Sequence, residues 1–213
     1  MAIYDYPTSY VQPASISMTA KSAVGVNTSP FTYAQQVYSY DGQRWEMSIN
    51  FPPMKLGDAE KVIGFFTRLN GREHYFNLVH PEAVTQNLQT DSNGVFVRIS
   101  ASQSTLKQLR LAHSGSLETI PVGTFITVPA ITTTGANHLV KVTNVVSSST
   151  LQKTVDIWPY LTGDIDDYDV DDVYMNPADL KGTWRLKSNN FTYDVNEASI
   201  YGMSIACDGF VEP

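Results

Sequence analysis

YAQQVYSYDGQRWEMSINF, residues 33–51, holds two runs of β-forming residues, Tyr33–Tyr40 and Gln43–Phe51, on either side of Asp41-Gly42. In the second run Trp45, Met47, Ile49 and Phe51 fall on one face, and Arg44, Glu46, Ser48 and Asn50 on the other. A two-residue period is that of a strand with one buried face. Glycine accepts the positive φ of a tight turn, so Asp-Gly between two such runs predicts a hairpin turning at 41–42. Upstream, Val11–Ala20 sets Ile16 and Met18 on one face and hydroxyls on the other, a further half-buried strand, before the Gly- and Ser-containing stretch Gly25–Pro30. Downstream, Pro52-Pro53 ends the strand, because proline withholds a ladder donor and fixes φ.

The period then changes. Leu56, Ala59, Val62, Ile63, Phe66 and Leu69 recur at three- and four-residue steps, an apolar stripe on a helix over about 57–70. Asp58 lies near its start, where a carboxylate can accept free N–H groups and meets the positive end of the dipole. Asn70-Gly71 supplies a left-handed stop, and His74–Val79 returns to strand with Tyr75 and Phe76 available to a core. From His80 to about Lys181 the short apolar runs Val95–Ile99, Leu106–Leu111, Phe125–Val128, Leu139–Val146 and Thr154–Trp158 alternate with Gly, Ser, Thr and Pro. That texture predicts a small antiparallel barrel or sandwich. Thr183–Leu186, Phe191–Val195 and Ile200–Phe210 read as a closing meander, with turns at 188–190 and 196–197. The expected fold is mainly β: a β-sandwich or split-barrel domain with one flanking helix, from residues 1–80 and 181–213, carrying an inserted antiparallel β domain at 81–180.

Composition narrows the function. Charged residues make up 16% of the 213, and 14 basic against 21 acidic residues leave a net charge of −7. Nucleic-acid grooves and anionic membrane surfaces need clustered Lys and Arg, so neither is the expected main partner. The single cysteine, Cys207, excludes an internal disulfide framework and a Cys-based zinc site, and reads as a small buried hydrophobe. Met1–Pro7 lacks a basic region followed by an apolar run, so no signal peptide is expected, and no window approaches a membrane span.

No catalytic motif, cofactor fingerprint or metal set emerges. The acidic run Asp164–Asp172 has the oxygens for a hard cation, but Asp169 and Met175 stand where a calcium loop needs Gly and Glu, and a solvated loop is the plainer reading. His74, His80, His113 and His138 form no His-x-x-x-His pair. Ser114-Gly115-Ser116 is not a nucleophile elbow. Asp194 with Glu197 could serve glycoside hydrolysis only at a fixed separation, which sequence does not give. Trp45, Trp158 and Trp184 sit in or at the ends of expected strands, where core packing is the default.

Ordered blocks along the chain resemble a tailed-bacteriophage tail structural family, most like distal tail or baseplate proteins. They are Ser29-Pro30-Phe31-Thr32 with Ala34–Tyr38, Gly42–Glu46, Pro52-Pro53-Met54, Asp58-Ala59-Glu60 leading to Leu69-Asn70-Gly71-Arg72, Val155–Pro159, Thr183–Leu186 with Ser188-Asn189, and Asp194–Ala198 through Ile200–Gly202. The resemblance covers approximately half the chain and is weakest over Glu82–Lys153. It implies a non-enzymatic virion component made in the host cytoplasm: a homo-oligomeric ring, six-fold by expectation, contacting tube, hub and fibre proteins, with DNA passing through its lumen. A ring subunit binds through many buried contacts, and Tyr4 and Tyr6 ahead of Pro7 suit an arm docking on a neighbour, with a frayed terminus as the plain alternative. Three alternatives remain at this stage. One is an adaptor or connector ring elsewhere in the tail or neck. Another is a carbohydrate- or receptor-binding module presenting Tyr160, Tyr168 and Tyr174 from the insert, and the last is an envelope-degrading hydrolase.

Overall fold

In the computed structural model, which describes residues 1–80, 98–99, 105–112, 120–130, 135–148, 152–163 and 180–210, most of the 33–51 stretch, Gln35–Asn50, is a single strand. In chain order the elements are β1 Ile3–Asp5, β2 Ser15–Thr28, β3 Gln35–Asn50, β4 Met54–Lys55, α1 Leu56–Arg68 and β5 Tyr75–Val79. Then come β6 Arg98–Ile99, β7 Gln108–Ala112, β8 Phe125–Pro129, β9 Asn137–Ser148 and β10 Gln152–Trp158. The last are β11 Lys181–Leu186, β12 Asp194–Val195, β13 Ile200–Gly202 and β14 Ser204–Gly209. The protein is mainly β, with one helix among the described residues.

Asp41-Gly42 is not a turn. Ser22 pairs with Gln43 and Val24 with Ser39, so Tyr40, Asp41 and Gly42 stand opposite Ala23 alone. The excess residues form a bulge, the device by which a strand absorbs extra length without losing its partner. The chain reverses earlier, over Ser29–Ala34, where the Ser29 N–H donates to the Ala34 carbonyl at 2.9 Å and Tyr33 adopts a left-handed φ of 55°. The Ser29 hydroxyl accepts long bonds from the Phe31 and Thr32 N–H groups, both 3.4 Å, and so closes the turn from within.

Six strands form the main sheet in the order β1-β5-β11-β14-β3-β2, antiparallel except for the parallel pair β1–β5. The anticipated face of β3 is the core face: Met47, Ile49 and Phe51 are buried with Phe76, Trp184, Leu186, Ile205 and Cys207. Against it α1 lays Ala59, Val62, Phe65 and Phe66. Phe65, absent from the sequence pattern, is buried on one edge of the stripe, while Leu56 at the opposite edge is exposed. Asp58 makes no capping bond. The helix begins before it, at Leu56, and its carboxylate lies 3.7 Å from Lys61, leaving only the dipole interaction of the first turn. Asn70 and Gly71 both take left-handed φ, 50° and 63°, as a helix stop requires.

The expected closing meander is split. β11 and β14 pair in the main sheet, but β12, β13 and β4 form a separate three-stranded sheet, so only Asp194–Val195 of the 191–195 run is strand. Strands β6–β10 form a five-stranded antiparallel sheet, in the order β6-β7-β10-β9-β8, around Leu109, Leu111, Val140, Val142, Val155 and Ile157. Its chain leaves from β5 and returns to β11, which are neighbours: Val79 pairs with Lys181, and the His80 N–H donates to the Leu180 carbonyl at 2.8 Å. Phe125 and Leu139 of the insert reach into the core of the main sheet.

Candidate functional site

Residues 22–43 carry one charge, Asp41, and run out beyond the sheet as a two-stranded arm. At about 3.3 Å per residue, the stretch Ser22–Thr28, six of whose residues are paired, extends the arm by roughly 20 Å. Val24, Val26, Val37, Tyr38 and Tyr40 are exposed on its strands, and at its tip Phe31 is 91% and Tyr33 79% exposed. A lone hairpin is marginal in water, and an uncovered apolar surface of this extent marks a contact surface. In the sequence these residues show only as a block resembling tail proteins and as an expected turn at 41–42. The signal that could have found the arm is the near absence of charge over twenty-two positions.

The root of the arm is fastened to the insert. Lys107 Nζ lies 3.3 Å from Asp41 Oδ1, and the Tyr160 N–H donates to Gln43 Oε1 at 3.1 Å. The Trp45 ring meets Trp158 edge-on at 4.4 Å, and its Nε1–H donates to the Leu139 carbonyl at 3.0 Å. Beside this root, Glu46 accepts from Lys187 Nζ at 2.7 Å, Lys21 Nζ at 2.8 Å and Arg44 Nη2 at 2.9 Å. The three cations hold its carboxyl down at about 2.

Grooves of three kinds bear on the readings above. One of about 280 Å³ lies at the bulge between Lys21–Ala23 and Gly42–Arg44. Another, of about 470 Å³, separates the N-terminal strand from α1 and includes Tyr4, Pro7, Tyr10, Phe65 and Arg68. The last, of about 460 Å³, lies on the insert and includes Thr105, Lys107, Gln108, Asp156, Trp158 and Tyr160.

The N-terminal segment is neither a free arm nor a frayed end. Ile3–Asp5 is β1, paired with Tyr75–Asn77 of the same chain. Tyr6 is buried in the core against Phe51, Phe65 and Phe66, its hydroxyl donating to the Val11 carbonyl at 2.6 Å, and burial pushes its pKa up. Tyr4 lies half-buried under the Arg68 guanidinium, 4.0 Å from the ring centroid, and Pro7 borders the groove beside α1. The local aromatic content was legible, but the parallel partner 72 residues away was not.

Of the other singled-out residues, Tyr160 lies in the insert groove, whereas Tyr168, Tyr174, the acidic run 164–172, His113 and Ser114–Ser116 fall outside the described residues. His74 Nδ1 accepts from the Ala2 N–H at 3.3 Å, and His80 packs on Phe125 with centroids 4.3 Å apart. His138 is buried against Phe210, and burial lowers its pKa to about 4. Burial and the neighbouring Asp208 push the Cys207 thiol up. Asp194 and Glu197 are both exposed, and Trp184 is core. Among the described residues no cluster of three His, Cys, Asp or Glu side chains could hold a metal ion, and no helix is long and apolar enough to cross a membrane. No protein-family model matches the chain, and no curated protein is significantly similar to it.

Proposed function

We propose that this protein is a structural, ring-forming component of a bacteriophage tail, in the distal tail or baseplate region, joining tube to tip or fibres through subunit interfaces. The carrying observation is the arm, residues 22–43: an aromatic hairpin whose one charge, Asp41, lies at its root, with exposed side chains on both strands and a root fastened to the insert. A projecting element that is unlike the surface receiving it makes a head-to-tail contact, and such contacts close into rings when the rotation allows. Partners of the ring are further copies of the chain and the neighbouring tail proteins, and its place is the virion. The near-neutral arm gives contact energy by area rather than by charge, which suits permanent assembly. The blocks resembling distal tail proteins include the arm's own tip, Ser29–Thr32, and the strand that follows it.

Mass photometry and negative-stain imaging test the reading. The wild-type chain forms closed rings, and the double variant Phe31→Ser, Tyr38→Ser, altered only at exposed positions, runs as a monomer with an unchanged circular-dichroism spectrum. A wild-type chain that stays monomeric at about 100 μM, or rings indifferent to the double variant, would rule the proposal out.

A further inference from the structure

At β7 and β10 the insert's sheet buries one face and turns the other outward, and register assembles a polar row on that outward face. Gln108 of β7 stands directly opposite Asp156 of β10, which stands directly opposite Asn144 of β9. Asp156 is gripped from both sides: Oδ1 accepts from Gln108 Nε2 at 2.8 Å, and Oδ2 from Asn144 Nδ2 at 3.1 Å. A carboxylate has about four acceptor positions, so two remain open while the group is held still. Around Asp156 the groove adds Thr105, Thr143 and Lys107, whose ammonium lies 4.9 Å from the centroid of the Tyr160 ring, and its lining includes the half-buried Trp158 and Tyr160. Its volume of about 460 Å³ lies within the span of small-molecule sites, about 300–1,000 Å³.

We propose that this groove binds a neutral oligosaccharide of two or three sugar units. Each sugar hydroxyl both donates and accepts, and adjacent hydroxyls can bridge a fixed carboxylate and a neighbouring amide, as Asp156 and Gln108 are set to offer. The less polar C–H face of a pyranose suits an aromatic ring, and Trp158 and Tyr160 are the aromatic residues of the lining. Lys107 is already matched by Asp41 at 3.3 Å, which leaves no uncompensated cation for a phosphate, and a single carboxylate whose oxygens already accept from two amides is a poor seat for a cation. Nucleic acid needs several basic groups. An extended peptide adding as a strand needs a free sheet edge, whereas β10 has β7 on one side and β9 on the other. The inference does not depend on ring formation.

The test uses the full chain with maltotriose, cellotriose and chitotriose as probes, read by saturation-transfer NMR and by tryptophan fluorescence. At least one probe binds with Kd on the order of 1 mM, and Asp156→Ala and Tyr160→Ala each weaken it by about tenfold or more. Lys61→Ala, in the groove beside α1, leaves affinity unchanged. Should Asp156→Ala fail to fold, Asp156→Asn keeps the shape, exchanges an acceptor for a donor facing the two amides, and gives the same loss. No binding by any probe at about 20 mM, or binding undiminished in either groove variant, overturns the proposal. A monomer that binds the sugar overturns the ring alone.

Discussion

Phe66 is the residue on which the main core turns. It is 1% exposed and meets Tyr6, Phe51, Phe65, Phe76 and Phe191, aromatic rings from the N-terminal segment, β5, α1 itself and the loops after β3 and β11. Truncation to alanine removes the common neighbour of all five, and surroundings this close-packed do not collapse to fill the space; urea unfolding of Phe66→Ala should show a loss of about 3–5 kcal/mol. A variant within about 1 kcal/mol of wild type would mean the rings repack freely. His138 makes a different prediction. Its ordinary pKa of 6.5 is lowered by burial to about 4, so the unfolded chain takes up a proton below 6.5 that the folded chain refuses until about 4. Acidification through that window therefore favours unfolding, by a total on the order of 3 kcal/mol. Glu46, pulled from 4.5 to about 2 by Lys187, Lys21 and Arg44, contributes stability above 4.5 that is lost as pH falls from 4.5 toward 2. Melting temperature should thus decline in two successive windows, and His138→Leu should flatten the first relative to wild type. Equal slopes in the two proteins between pH 6.5 and 4.5 would show that His138 carries no such linkage.

Between helix and sheet, the stop at Asn70-Gly71 shows what a local signal can fix. Gly71 has φ +63° and approaches Asn189 so closely that an added Cβ would lie 2.9 Å from its Cα, while Asn189 Oδ1 accepts from the Arg72 N–H at 3.1 Å. Gly71→Ala is strained twice, by dihedral and by contact, and should cost more than about 1 kcal/mol in denaturant unfolding. Asn189→Ala removes only the accepted bond and should cost about 0.5–1.5 kcal/mol. Equal losses would place the strain elsewhere. The stop was legible because backbone chirality alone demands it, and the helix was legible because its 3.6-residue period survives in Ala59, Val62, Phe66 and Leu69. Asp41-Gly42 carried an equally good local signal and was overruled by pairing. Continuing the ladder from Thr28–Gln35 to Ser15–Asn50 satisfies more backbone groups than a turn at 41–42 could, and the bulge opposite Ala23 absorbs the misfit. The insert groove follows the same rule. Trp158 and Tyr160 are visible as aromatics, but Gln108, Asn144 and Asp156 become neighbours only through the register of three strands.

Across the whole molecule, the two large sheets share material that a separable insert would not. Phe125 and Leu139 of the insert lie in the main core, and Gly182 admits the Leu139 side chain to a distance that a Cβ would reduce to 3.1 Å. Asp5, Asn77 and Thr183 line up across β1, β5 and β11, and the insert closes this row. Asn77 Nδ2 donates to Asp5 Oδ1 at 2.8 Å and to the Gly135 carbonyl at 3.0 Å, its Oδ1 accepts from the Thr183 hydroxyl, and the Asn137 N–H donates to Thr183 Oγ1 at 2.7 Å. Cutting one member of a buried network leaves its partners desolvated and unpaired, so Asn77→Ala should lose about 2–3 kcal/mol and not the ~1 kcal/mol of an ordinary hydrogen bond. Because the shared core and this network tie both sheets together, neither should unfold alone. Tryptophan fluorescence reports the junction, where Trp45, Trp158 and Trp184 sit, and far-UV circular dichroism reports all strands. Their urea transitions should coincide in the wild type and stay coincident, at lower midpoint, in Asn77→Ala. Two separated transitions in the wild type would mean that the insert is an independent domain, and the arm it braces through Lys107, Tyr160 and Trp158 would then be free to swing with it.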